Sequence, residues 1–98
     1  MLKEGFNYLV MTKTGQIYFG EFVGCEMKPY LSSKGKYRRV DIFKNVCARS
    51  SMDRPLNYDY LHLLTRQVVN AIPVEFSESK FLNMPKTQLS QCFNGKGD

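Results

Sequence analysis

The sequence has no long apolar run and few cysteines, and these absences exclude several classes of protein. The N-terminal apolar run covers only Tyr8 to Met11, far short of a signal-peptide core or of the roughly 20 apolar residues of a membrane span. The three cysteines are far apart and odd in number, whereas a secreted disulfide framework needs an even set. We therefore expect a soluble cytoplasmic protein with reduced thiols and no membrane contact.

The sequence also lacks the motifs of common catalytic and metal sites. It has no glycine-rich phosphate loop, no H-E-x-x-H motif and no nucleophile elbow. The single histidine, His62, could pair with Cys25, Cys47 or Cys92, or join them around zinc. Zinc ligands usually lie in pairs roughly two to four residues apart, but these cysteines are 22 and 45 residues apart. We therefore predict no enzymatic activity, no metal, no cofactor and no small-molecule substrate.

Length and composition favour one folded unit. A chain of 98 residues can form one hydrophobic core but is too short for two domains. Its hydrophobic content of 43%, with no low-complexity tract, is sufficient for folding. We expect a single domain over residues 1–93, followed by a flexible C-terminal tail over residues 94–98.

Clusters of β-branched and aromatic residues between turn residues predict antiparallel strands in the first half of the chain. The predicted strands are Phe6–Thr12, Ile17–Met27 and Tyr37–Val46, with a tight turn at 13–16. Gly20 and Gly24 remove side chains where a bent strand or a neighbouring backbone would clash, which indicates a curled sheet. Polar side chains on both faces place the third strand near an edge of the sheet.

The second half of the chain predicts helices. Apolar residues at helical spacing predict a helix from about Asp59 to Ala71, ended by Pro73. The alternative is another strand, which would suit Val68-Val69 and the residues from Ile72 to Phe76. Ser77 is expected to cap a short helical turn, and a final short helix would pack through a stripe formed by Leu89, Cys92 and Phe93.

These elements together predict an α+β fold. The expected architecture is a curled antiparallel sheet of three to four strands, or a partial small barrel, packed with one longer and one short C-terminal helix. The run from Thr14 to Gly24 (TGQIYFGEFVG) resembles the first motif of Sm-like small barrels, in which a turn glycine precedes a strand with a second glycine that lets it bend. The resemblance covers eleven residues, and Thr14 replaces the acidic residue of the family. No second motif is found, so neither ring assembly nor RNA-binding residues are carried over.

Positive charge is concentrated in the middle of the chain. Residues 28–54 contain eight Lys and Arg residues against two Asp, a net charge of +6, whereas the whole chain has +5. Cations next to aromatic rings are what single-stranded DNA or RNA requires from a protein surface. The predicted binding residues are Lys34, Lys36, Tyr37, Arg38, Arg39, Lys44 and Arg49.

Two other interpretations of this region stay open. The lysines could simply solvate a loop while Tyr37 and Phe43 are part of the core. The chain could also be a protein-binding adaptor or inhibitor that contacts an acidic protein surface on a larger complex, such as a bacterial or bacteriophage accessory protein. The aromatic residues Tyr18, Phe22 and Tyr30, which a small core need not fully bury, would suit that second role.

Overall fold

The structure is a computed structural model that describes residues 2–30, 34–49 and 55–94. Within these ranges the chain forms five strands, a short 3-10 turn and two helices, so the predicted α+β class is confirmed. The elements are β1 (Asn7–Thr12), β2 (Ile17–Pro29), β3 (Tyr37–Arg49), β4 (Pro55–Leu64), the 3-10 turn (Thr65–Gln67), β5 (Val68–Pro73), α1 (Glu78–Asn83) and α2 (Lys86–Asn94). Most of the predicted tail, at 95–98, lies outside the described residues.

The five strands form one antiparallel sheet in the order β4-β3-β2-β1-β5. The edge strands β4 and β5 are joined by the three-residue 3-10 turn alone. In a flat sheet these edges would be about 19 Å apart, whereas the chain from Leu64 to Val68 can span at most about 14 Å. The sheet must therefore curl strongly. It is nevertheless open, because no described residue of β4 pairs with β5.

The helix predicted over Asp59–Ala71 is wrong, and the alternative of a strand holds for most of this segment. Its apolar residues have helical spacing but do not share a face. Leu61 and Val68 pack against one core cluster, whereas Ile72 packs against another on the opposite side of the sheet. Pairing of β4 with β3 and of β5 with β1 satisfies the backbone here, and the sheet consequently has five strands. The residues after Pro73 add no further strand before α1.

The sheet is buried on both faces. On one face a sheet cluster forms inside the curl, and on the other a helix cluster forms beneath α1 and α2. The sheet cluster consists of Tyr8, Val10, Phe22, Phe43, Val46 and Leu63. The helix cluster consists of Leu9, Phe19, Cys47, Phe81, Met84 and Leu89. Since successive strand residues alternate between faces, this explains why neither face of the predicted second strand is polar.

A tight turn and irregular pairing shape the central hairpin. Gly15, in the turn before β2, has a φ of 86°, a left-handed conformation that glycine adopts readily. The pairing between β2 and β3 shifts register twice, after Phe19 and after Phe22. Asn45 of β3 has a φ of 51° at the first shift, and asparagine tolerates this conformation better than most residues.

The two helices begin and pack as the sequence predicts. The Ser77 side chain accepts a hydrogen bond from the Lys80 backbone N–H at 3.3 Å and so caps α1. In α2, Leu89 is buried in the helix cluster, and Cys92 and Phe93 pack against the same cluster. Within the described ranges no helix is long and apolar enough to cross a bilayer.

Candidate nucleic-acid interface

The connection between β2 and β3 is a two-stranded hairpin that projects beyond the rest of the sheet. We call residues 25–30 and 34–39 the basic hairpin. Its strands pair with each other from Met27 opposite Arg39 to Pro29 opposite Tyr37. β1 pairs with β2 only as far as Glu21, and β4 pairs with β3 only from Val40 onward. No described strand therefore flanks the hairpin, which leaves most of its side chains exposed.

The basic hairpin carries a strong excess of positive charge. Its described residues include five cations, Lys28, Lys34, Lys36, Arg38 and Arg39, against one carboxylate. That carboxylate belongs to Glu26, and the Lys28 Nζ lies 4.0 Å from its Oε1. Exposed ion pairs of this kind are weak and are screened by salt. The remaining cations therefore create a localised positive potential at the projecting end of the molecule.

Aromatic rings accompany the cations on both faces of the hairpin. On one face, Lys28 lies opposite Arg38, and the Arg38 guanidinium lies 5.4 Å from the centre of the Tyr30 ring. This distance is typical of a cation–π contact and restricts the orientation of the guanidinium. On the other face the Tyr37 side chain is 59% exposed, so the hypothesis that Tyr37 is part of the core is wrong. Its ring is available to stack on a base.

Two of the seven predicted binding residues lie away from the hairpin. Lys44 is in the middle of β3, where its Nζ is 3.7 Å from the Glu21 Oε2. Arg49 is eleven residues beyond Arg38, a distance of about 36 Å along a strand. The Arg49 Nη1 donates a hydrogen bond to the carbonyl of Met84, next to the helices. The structure therefore brings together Lys34 to Arg39, adds Lys28, and places Lys44 and Arg49 elsewhere.

A cleft of about 300 Å³ lies at the base of the basic hairpin. It is lined by Tyr30, Arg38, Arg39, Leu64, Thr65 and Arg66. Arg66 is not among the predicted binding residues, because it falls inside the predicted helix, 27 residues after Arg39. Pairing of Leu64 with Val40 places the 3-10 turn next to the hairpin, and no local sequence signal indicates this juxtaposition. The cleft adds a cation from a distant part of the chain to the basic surface.

The edge strand β4 presents a second surface, which is apolar. Leu56, Tyr58 and Tyr60 are alternate residues of this strand and are 42%, 37% and 62% exposed. The Tyr58 ring contacts the half-buried Tyr18 edge to face, with 6.4 Å between ring centres. Burial, with a smaller contribution from Tyr58, raises the pKa of Tyr18 above its ordinary value. This row lies beside the unpaired backbone of the sheet edge.

The potential catalytic residues are dispersed. Burial, with a smaller contribution from Glu78, raises the pKa of Cys47 to about 12 and holds the thiol in its protonated, weakly nucleophilic form. Cys25 is exposed on the basic hairpin, and Cys92 packs against the helix cluster. His62 is exposed on β4. In the part of the chain that the structure describes, no three His, Cys, Asp or Glu residues are grouped so as to hold a metal ion.

Comparisons with known proteins give no family for this chain. No protein-family model matches the sequence, and no curated protein matches it significantly. Functional inference therefore depends on the residues of this chain and their arrangement.

Proposed function

We propose that this protein is a non-enzymatic module that binds single-stranded nucleic acid through the basic hairpin. The observation that carries the proposal is the concentration of five cations against one carboxylate on a projecting, exposed hairpin. Such a surface neutralises phosphates and releases the counterions condensed on them, which is the main source of affinity in nonspecific binding. The thiols of Cys25, Cys47 and Cys92 are free, which fits an activity in the reducing cytoplasm.

Tyr37 favours a single strand over a duplex. This residue is 59% exposed and lies beside Lys36 and Arg38. Unpaired bases can stack on such a ring, with a contribution of about 1–3 kcal/mol per base, whereas the bases of a duplex already stack on one another. The lysines and arginines would contact phosphates on both sides of the stacked base.

A salt titration tests the electrostatic part of this proposal. Binding of fluorescein-labelled single-stranded DNA and RNA 20-mers is measured by anisotropy between low and physiological salt. Replacing Lys34 and Lys36 by Gln should lower the slope of log K against log [salt] by about 1.4, because each lost phosphate contact changes it by roughly 0.7 for single strands. The matched control is Lys13→Gln with Lys80→Gln, which removes the same charge from exposed positions outside the hairpin.

A second pair of variants tests stacking. Tyr37→Ala should weaken binding at every salt concentration and leave the slope unchanged, whereas Tyr37→Phe should bind like the wild type because it keeps the ring. The proposal fails if the wild type does not bind either 20-mer at low salt. It also fails if the control pair Lys13→Gln and Lys80→Gln reduces the slope as much as the hairpin pair does, because net charge would then explain binding.

The apolar row on β4 favours a second candidate function, a protein-binding adaptor or inhibitor. An unpaired sheet edge can accept a strand from a partner, and exposed side chains beside it can supply specificity. A pull-down from nuclease-treated extract distinguishes the two functions, since a protein partner is retained after digestion. For an adaptor that uses β4, capture should be lost with Tyr60→Lys and kept with the hairpin double variant.

A further inference from the structure

The cleft at the base of the basic hairpin combines cations from two distant segments. Arg38 comes from β3, and Arg66 comes from the 3-10 turn between β4 and β5. The third arginine, Arg39, also lines the cleft, but its Nη2 already donates a hydrogen bond to the Cys25 Sγ at 3.3 Å. None of the lining residues is an Asp or a Glu. The cleft is therefore a small concave site with positive charge and no lining carboxylate to neutralise it.

Two polar atoms of the cleft residues are buried without a hydrogen bond. The Arg38 Nε and the Thr65 Oγ1 are both inaccessible to solvent, and neither has a hydrogen-bonding partner among the described residues. Buried polar groups are normally satisfied by protein, water or ligand, because leaving one unpaired is costly. The arginine atom can only donate, and the threonine hydroxyl can also donate. Both atoms lack an acceptor, and because solvent reaches neither of them, a ligand contacts them only when the Arg38 and Thr65 side chains turn toward the cleft.

We infer that this cleft binds a phosphate group. The inference rests on the proposed function for the source of that group, which we take to be a phosphodiester of a strand lying along the basic hairpin. The planar guanidinium of Arg38, oriented by the Tyr30 ring, suits the oxygens of a phosphate. The Thr65 hydroxyl would donate once it turns toward the phosphate, and the exposed Arg66 would supply a second charge.

Titration with inorganic phosphate tests the site itself. Amide chemical shifts of the wild type are followed by NMR at constant ionic strength, with chloride replacing phosphate in the reference. Phosphate should shift the amides around Thr65 and Arg38. Arg66→Gln and Thr65→Val should each weaken phosphate binding about tenfold, which corresponds to about 1.4 kcal/mol. Thr65→Ser, which keeps the hydroxyl, and Lys80→Gln, which removes a distant exposed charge, should bind phosphate as the wild type does.

Arg66 is exposed, so Arg66→Gln is expected to fold normally, and unchanged circular dichroism and melting temperature would verify this. The inference is overturned if the wild type shows no phosphate-dependent shifts, or if folded Arg66→Gln and Thr65→Val bind phosphate with unchanged affinity.

A parallel titration with an oligothymidylate 12-mer separates this inference from the proposed function. Weaker 12-mer binding by Arg66→Gln and Thr65→Val supports the phosphodiester as the natural ligand. If the wild type binds inorganic phosphate but no oligonucleotide, the phosphate site is supported, with a phosphate monoester as its ligand, and the proposed function is contradicted. If the 12-mer binds all variants equally, the hairpin alone binds the strand and the assignment of the cleft to its phosphate is wrong.

Discussion

Replacing Gly20 by Ala is expected to destabilise the fold, because residue 20 lies directly against β3 at the register shift. A methyl group on Gly20 would lie 2.7 Å from the Val46 Cγ2 and 3.4 Å from both the Lys44 carbonyl oxygen and the Val46 Cα. Favourable contacts between carbon atoms occur at about 3.5–4.0 Å, so the new methyl group would overlap the valine methyl by about 1 Å. Gly20 has an ordinary backbone conformation, which leaves this contact as the source of the cost.

Val46 cannot easily move away from such a methyl group. Its side chain is 2% exposed within the sheet cluster, and a β-branched side chain has restricted rotation about χ1. Overpacking of this kind costs about 1–3 kcal/mol, and the reduced freedom of the unfolded chain offsets about 0.4–1 kcal/mol of it. We expect a net loss of about 1–2 kcal/mol in the free energy of unfolding. For a domain of this size each kcal/mol lowers the melting temperature by about 4–8 °C.

Urea denaturation monitored by circular dichroism measures this loss, and two variants test its cause. Gly15→Ala is a control for backbone strain alone, because Gly15 has a φ of 86° and no described atom within 4 Å of an added methyl group. Val46→Ala removes the atom that clashes. The double variant Gly20→Ala/Val46→Ala should therefore be more stable than the sum of the single effects predicts, by about 1 kcal/mol. Additive effects, or an unchanged stability of Gly20→Ala, would refute the proposed contact.

Three further predictions concern the thiols and a helix cap. Iodoacetamide at pH 8 should modify Cys25 first and Cys47 only after denaturation, as peptide mass spectrometry would show; early modification of Cys47 would contradict its burial. The pKa of Cys47 is raised to about 12 in the folded state, whereas a thiol in the unfolded chain ionises near pH 8.5. The stability that comes from this pKa difference should therefore be fully present below about pH 8.5 and decline as the pH rises toward 12. Between pH 8 and pH 10, urea titrations should accordingly show a smaller loss of unfolding free energy for Cys47→Ala than for the wild type. Ser77→Ala should lower the free energy of unfolding by about 1 kcal/mol through loss of the cap on α1, whereas Ser79→Ala should have a smaller effect.

The parts of the fold that were predicted correctly depend on local chemistry. The turn at Gly15 requires a residue that tolerates positive φ, and the cap at Ser77 requires a short side chain with an acceptor. The stripe on α2 follows from helical geometry within a single element. The α+β class and the curled sheet could therefore be predicted without knowing which residues meet in space.

The segment around the 3-10 turn could not be predicted in this way. Residues from Leu61 to Ile72 have apolar spacing compatible with a helix, and nothing local indicates that Thr65–Gln67 interrupt two strands. Pairing with β3 on one side and β1 on the other decides the outcome, because those partners lie far away along the chain. Intrinsic preference is a weak guide when such pairing is available.

The candidate interface could likewise be predicted from the sequence only in part. The charge of residues 28–54 and the aromatic residues among them are visible in the sequence, because composition does not depend on the fold. Only the tertiary structure separates the residues from Lys34 to Arg39, which share one hairpin, from Arg49, which lies at the other end of β3.

Local sequence patterns predict the α+β class, the strands of the first half, the helix cap and the localised positive charge, because each depends on residues near one another in the chain. Contacts between distant segments set the fifth strand, the edge position of β4 and the approach of Arg66 to Arg38. These features follow from pairing between strands that are distant in the chain, which brings together segments that no local pattern connects.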